Sequence, residues 1–263
     1  MAAKQCRTVV TWLLAGLALV VVGVVGASRL KQEEPEQHYR AELVDATPVQ
    51  QGQMTDKQRI HGRLYSNYNR RMFKPISEFV AQGNTAKRKD RILGVDLLIG
   101  MVSLPTEPES ETPNVYFGGL ARSSDAVVRG AVLSKVSQIT EDDWFVFTDY
   151  DFEVREVLKN TSKASLESGS AITVTRPGGK IVEDGVIIKV TDQAFAPLPM
   201  NRDIVLFLRL VEETGAYRAT SDTGAFELGR SSVRALTGEH FPPGVLDNDV
   251  DSFLVTLRNI TNR

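Results

Sequence analysis

Residues 8–27, running from Thr8 to Ala27, form 20 consecutive positions without a charge. At about 1.5 Å per helical residue this run spans roughly 30 Å, the thickness of a bilayer's hydrocarbon core. Lys4 and Arg7 precede it, and Arg29 and Lys31 follow it. A helix apolar on every side needs lipid or a large core around it, and nothing downstream reads as able to wrap it. The run therefore predicts a transmembrane anchor or a cleaved signal segment over residues 1–27. Val25-Gly26-Ala27 before Ser28 fits a cleavage site, whereas the length exceeds the apolar centre of about 7–15 residues usual in signal peptides and favours an anchor. The flanking positive charges are nearly balanced. Only seven residues precede the run, so the expected arrangement is single-pass with the C-terminal domain outside the cytoplasm. The other outcome is secretion after cleavage near Ala27.

Cys6 is the only cysteine and lies before the run. The rest of the chain therefore has no disulfide and no thiolate metal site. About 230 residues can bury a core without covalent staples. Without Lys4 and Arg7 the chain holds 29 basic and 33 acidic residues, which is no electrostatic footprint for nucleic acid. Asn160 and Asn259 begin N-x-Ser/Thr sequons, relevant only in a glycosylating compartment.

Composition divides the remainder into a polar linker (28–53), a basic and mainly helical region (54–122), a β domain (123–230) and a C-terminal loop and amphipathic helix (231–263). Thr55 predicts a helix cap, with a helix to about Asn69 carrying Ile60 and Leu64 on one face. A second helix is expected from Pro75 to about Gln82. The apolar, Gly-broken stretch 92–104 reads as a buried strand, with helix as the alternative. Residues 105–114, with three Pro and three Glu, read as a loop or boundary.

From residue 124 the pattern turns β. Val146, Tyr150, Phe152 and Val154 alternate with Asp149, Asp151, Glu153 and Arg155, predicting a half-solvated strand. Glu141-Asp142-Asp143 and Glu183-Asp184-Gly185 read as hairpin loops. The nearly uninterrupted apolar run 204–211 reads as a strand buried on both faces. About seven short strands predict a mainly β (α+β) fold, a small antiparallel β-barrel or sandwich. The end is expected to be a helix capped by Asp247 or Asp249, with a stripe of Val250, Phe253, Leu254, Leu257 and Ile260 packed on the β domain.

The series Asp125-Ala126-Val127-Val128-Arg129-Gly130, Phe147-Thr148-Asp149-Tyr150, Val154-Arg155-Glu156-Val157-Leu158-Lys159, Val174-Thr175-Arg176-Pro177-Gly178-Gly179, Leu206-Phe207-Leu208, Gly215-Ala216-Tyr217 and Gly224-Ala225-Phe226 resembles a family of uncharacterised exported bacterial proteins. The resemblance covers about residues 125–228. It implies an OB-like or netrin-like β-barrel and a bacterial envelope setting. It transfers no catalytic residue.

No motif fixes a chemistry. His38, His61 and His240 are far apart and read as solvated side chains, so no metal or cofactor is expected. Asp247-Asn248-Asp249-Val250-Asp251 begins like a calcium loop, but Ser252 and Arg258 stand where that loop needs Gly and Glu. A capped helix start accounts for the run more simply. Asp149, Asp151 and Glu153 stand about 7 Å apart along one strand face. Paired carboxylates are what glycoside hydrolysis uses, although alternating acids on a solvated face are ordinary. Pro177-Gly178-Gly179-Lys180 lacks phosphate-loop spacing and reads as a turn between strands. No GxSxG or HExxH motif is present, and nothing in the sequence points to a Ser/His/Asp triad.

Residues 54–92 carry ten Lys/Arg against Asp56, Glu78 and Asp90. Arg70, Arg71, Lys87, Arg88, Lys89 and Arg91 are its candidates for contact with anionic lipid, at about 1 kcal/mol per basic residue. Docking on the acidic β domain is the alternative, and a solvated face the plain reading. The expected function is that of a membrane-tethered or exported envelope protein acting as a non-enzymatic binding or interaction module. The alternatives are an envelope polymer hydrolase using strand carboxylates and a structural subunit of a membrane complex. Expected partners are the membrane, through residues 8–27, and an envelope protein.

Overall fold

A computed structural model describes residues 40, 42–49, 53–71, 74–85, 94–99, 112–237, 245–246 and 249–262. The apolar run 8–27 lies outside the described residues. No helix among those described is long and apolar enough to cross a membrane. The chain divides into two units, Met1–Val44 and Asp45–Arg263, and the elements below belong to the second. Its helices are α1 (Asp56–Arg63), α2 (Ile76–Thr85), α3 (Pro113–Ser123) and α4 (Val250–Thr261). Its strands are β1 (Thr47–Pro48), β2 (Gly94–Ile99), β3 (Ala126–Ile139), β4 (Val146–Asn160), β5 (Ala171–Pro177) and β6 (Gly179–Glu183). They continue with β7 (Val186–Asp192), β8 (Ile204–Val211), β9 (Ala216–Ala219), β10 (Ala225–Leu228) and β11 (Val233–Ala235). The fold is mainly β, with two sheets and a C-terminal helix, as the alternation of apolar residues predicts.

Thr55 caps α1 through a reciprocal pair: its Oγ1 accepts from the Gln58 amide at 3.3 Å, and Gln58 Oε1 accepts from the Thr55 amide at 2.9 Å. The helix ends at Arg63, earlier than its sequence suggests. The Leu64 and Tyr65 amides turn back onto His61 and Gly62, and a 3-10 turn follows over Ser66–Arg71. The tightening delivers the Tyr65 ring into the core, where it is 6 % exposed. The helix expected after Pro75 is α2. Its first amides are satisfied by the β3–β4 loop: Ile76 N–H donates to Asp143 O at 2.7 Å and Ser77 N–H to Asp143 Oδ2 at 3.2 Å. The strand expected within 92–104 is β2, parallel to β7. Helix α3 falls in the region expected to be mainly helical, although its first two residues, Pro113 and Asn114, lie in the stretch that reads as a loop. Pro113 occupies its first turn, where a missing N–H costs nothing.

One sheet runs β1-β6-β7-β2, and the other β11-β10-β8-β3-β4-β5-β9. In the second, β8 pairs with β3 along one edge. Its other edge is shared, β10 pairing with 204–206 and β9 with 208–211. β9 also pairs in parallel with β5. The chain passes between sheets at Gly178 and Gly179, so Pro177–Lys180 is a corner rather than a simple turn. A Cβ at Gly178 (φ 84°) would lie 2.8 Å from Val190 O, and one at Gly179 2.4 Å from Thr148 Oγ1. Only glycine allows strands this close. The β6–β7 hairpin turns through Asp184 (φ 48°) and Gly185 (φ 77°), the paired positive values of a type I′ turn.

Three apolar clusters result. The first lies among β3, β4, β5, β8 and β9 and holds Val128, Phe152, Val174, Leu206 and Tyr217. The second joins the outer face of β3, β8 and β10 to α3 and α4 through Phe117, Phe207, Phe226 and Phe253. The expected stripe on α4 makes this contact, and Asp249 is its cap, accepting from the Ser252 amide at 2.9 Å. The third joins the 3-10 turn and α2 to both sheets through Tyr65, Ile76, Phe147 and Ile188.

Candidate functional site

The acids of β4 do not share one environment. Phe147 is fully buried, stacked on Tyr65 with ring centroids 6.0 Å apart. Asp149, two residues on, is covered by α1, its side chain only 11 % exposed. Asp151 is exposed and accepts a short hydrogen bond from Ser134. Glu153 accepts from Arg155 at 3.2 Å. The expected solvated face is thus present only beyond Asp149, because α1 packs on the first half of the strand.

The covering group is His61. It is 1 % exposed, which corrects the expectation of a solvated side chain. Its Nδ1 lies 2.9 Å from Asp149 Oδ2 and 3.0 Å from Oδ1, and its Nε2 lies 2.9 Å from Thr214 Oγ1. A carboxylate, an imidazole and a hydroxyl thus stand in line, the order in which a base-activated nucleophile is built. The amides beside Thr214 are already engaged. The amides of Thr214 and Gly215 both donate to Val211 O, and that of Ala216 donates to Thr214 Oγ1. These three amides are therefore spent and cannot serve an oxyanion. The line ties α1 to β4 and to the β8–β9 turn. The neighbouring ties are an Arg59–Glu141 ion pair at 3.1 Å and a long hydrogen bond from Tyr65 Oη to Thr175 Oγ1 at 3.4 Å.

The second constellation lies on the opposite face of β5, where Ile172, Val174 and Arg176 share a register. Arg176 is 2 % exposed. Its Nε, Nη1 and Nη2 make no hydrogen bond to any described residue. The Phe195 ring lies over the guanidinium, 5.3 Å from Cζ, a cation–π distance. Tyr150, Gly178, Gly179, Asp192, Phe195 and Pro197 are among the walls of a cavity of about 10 Å³ beside it, room for about one water-sized group. Burial holds the guanidinium below its usual pKa, opposed by Tyr150, Tyr65, Asp192 and Asp222. The same burial pushes the Tyr150 phenol up, and the nearby Arg176 opposes that shift. Asp192 Oδ1 is engaged by the Ala194 amide at 3.0 Å. The 192–197 loop is further held by Phe195 N–H to Asp192 O and by Thr237 Oγ1 to Ala194 O.

Of the basic candidates, Arg70 and Arg71 fall in the 3-10 turn, while Lys87, Arg88, Lys89 and Arg91 lie outside the described residues. The described polar contacts of the basic region with the β domain include those of Arg59, His61, Tyr65, Ile76 and Ser77. Asp247, His38 and His240 also lie outside the described residues. The sequence carried a usable signal for both sites. His61 and Tyr65 are four apart, one position over from the Ile60/Leu64 pair read as the buried face. Arg176 sits at an inward position of an alternating strand, where an apolar residue is the rule.

Comparison with known proteins found no matching family model and no matching curated protein.

Proposed function

We propose that this chain is a non-enzymatic binding module, held at the membrane by residues 8–27 or exported after their removal, and built on an OB-like barrel. The barrel reading is supported by the circuit of pairings β3–β4–β5–β9–β8–β3, with β5–β9 its one parallel step. A five-stranded, partly open barrel is the OB pattern, in which a scaffold presents strands and loops to ligands, and the step from fold to binding rests on analogy. The observation that carries the non-enzymatic part is the state of the strand acids: Asp149 is held by buried His61, Asp151 by Ser134 and Glu153 by Arg155. A general acid and base need carboxyls free to face a substrate.

The hydrolase reading draws on the Asp149–His61–Thr214 line, and it is weakened by the spent amides around Thr214. Incubating the full-length chain in mild detergent with purified envelope polysaccharide, alongside Asp151→Asn and Thr214→Val, separates the two. The expected result is no release of new reducing ends by any of the three. Release by the wild-type chain that either variant abolishes would overturn the binding-module reading.

A further inference from the structure

We propose that the Arg176 chamber is a receptor for a carboxylate: a monocarboxylate whose head meets the guanidinium edge and whose apolar remainder leaves past Phe195 and Pro197. The proposal rests on the binding-module reading and supplies its ligand class.

A buried cation without a hydrogen-bonded partner is costly to the fold. Arg176 is such a group among the described residues, with all three guanidinium nitrogens unfilled and the side chain 2 % exposed. The guanidinium lies over the Phe195 ring, 5.3 Å from its centroid, a contact that fills none of its N–H donors. A guanidinium edge offers two parallel N–H donors, and the planar carboxylate is the acceptor that matches them. The space of about 10 Å³ admits a group the size of one oxygen. A sulfate or phosphate matches the same two donors, but it brings further oxygens and charge against the Asp192 carboxylate that lines the space, which favours the smaller, singly charged carboxylate. Asp192, Phe195, Ala196 and Pro197 of the 192–197 loop line the space, so on this proposal a head larger than one oxygen enters by displacing this loop.

The Asp192 carboxylate lines the same cavity. It balances part of the Arg176 charge and opposes a second anion. It therefore keeps the affinity modest, and its neutralisation separates carboxylate binding from general salt effects.

The test is the melting temperature of the full-length chain in mild detergent, titrated with sodium propionate at constant ionic strength against sodium chloride and sodium phosphate. The expected result is a saturable rise with propionate that neither other salt produces. Arg176→Met abolishes the rise. Arg176→Lys, which keeps the charge but loses the fork, weakens it by at least about tenfold in half-saturating concentration. Asp192→Asn strengthens it by about tenfold. No rise in the wild-type chain, an equal rise with chloride, or a rise that survives Arg176→Met would each overturn the proposal. The wild-type titration alone decides should a variant fail to fold. Polymer hydrolysis in the earlier assay would overturn the binding-module reading, whereas silence in both assays would overturn the carboxylate site alone.

Discussion

His61 Nδ1 and Asp149 Oδ2 lie 2.9 Å apart although 88 residues separate them in the chain. Their side chains are 2 % and 11 % exposed. The pair therefore joins a helix of the basic region to the central hairpin of the β domain away from bulk water, where a lost partner leaves a polar group stranded. His61→Ala should lower the unfolding free energy by about 2–4 kcal/mol. Asp149→Asn keeps an acceptor in place and should cost about half of that. Urea unfolding of both single variants and the double variant should give a coupling of at least about 1 kcal/mol. Additive losses would show that α1 is held by its apolar contacts alone.

The same pair shows where sequence reasoning stops. The cap at Thr55, the alternation in β4, the 204–211 strand and the α4 stripe follow from local periodicity and capping chemistry, so they are legible without a structure. The covered half of β4 is not. Asp149 and Asp151 have the same spacing and the same residue type, and only the docking of α1 separates a buried acid from a solvated one. Arg176 is hidden for a related reason: the glycines after it carry the local turn signal, while the informative fact is a charge on the inward register of β5.

The sheet-to-sheet corner gives a second expectation. At Gly178 a side chain meets the Val190 carbonyl in a left-handed backbone, and at Gly179 it meets the Thr148 and Ser137 hydroxyls at 2.4 and 2.6 Å. Thr148 Oγ1 also donates to Gly178 O at 2.7 Å, so the corner has little room to shift. Gly178→Ala and Gly179→Ala should each cost about 1–3 kcal/mol. Gly185 also has positive φ but faces open space, and Gly185→Ala should cost only the local strain, about 1 kcal/mol. Equal losses in denaturant melts of all three variants would mean that crowding at the corner is not what selects glycine.

The cap of α4 makes the docking of that helix pH-dependent. The Ser252 amide holds the Asp249 carboxyl below the usual carboxylate range. A depressed folded pKa adds stability above the unfolded value and loses it as pH falls through the folded one. The contribution should therefore be intact at pH 6 and fade below about pH 4. Amide exchange at Ser252, corrected for intrinsic rates, should become less protected across that window. Asp249→Ala should show the lower protection at every pH. Wild-type protection that stays flat down to pH 2.5 would rule out the carboxylate as the cap that matters.

Arg176 supplies the last expectation, which concerns the protein without any ligand. Its guanidinium has been taken from water without hydrogen bonds to any described residue. Phe195 on one face and the partial balance from Asp192 return only part of the lost hydration. Replacing a buried ion by an apolar side chain of similar length removes that penalty and is often stabilising. Arg176→Met should therefore raise the unfolding free energy of the ligand-free chain by about 1–3 kcal/mol, read by chemical denaturation in propionate-free buffer. The same substitution is expected to abolish the response to propionate, so stability and binding should move in opposite directions at a single residue. A loss of stability in Arg176→Met would instead mark the guanidinium as a structural element, held by its Phe195 and Asp192 neighbours, and would remove the physical reason for seeking a ligand there.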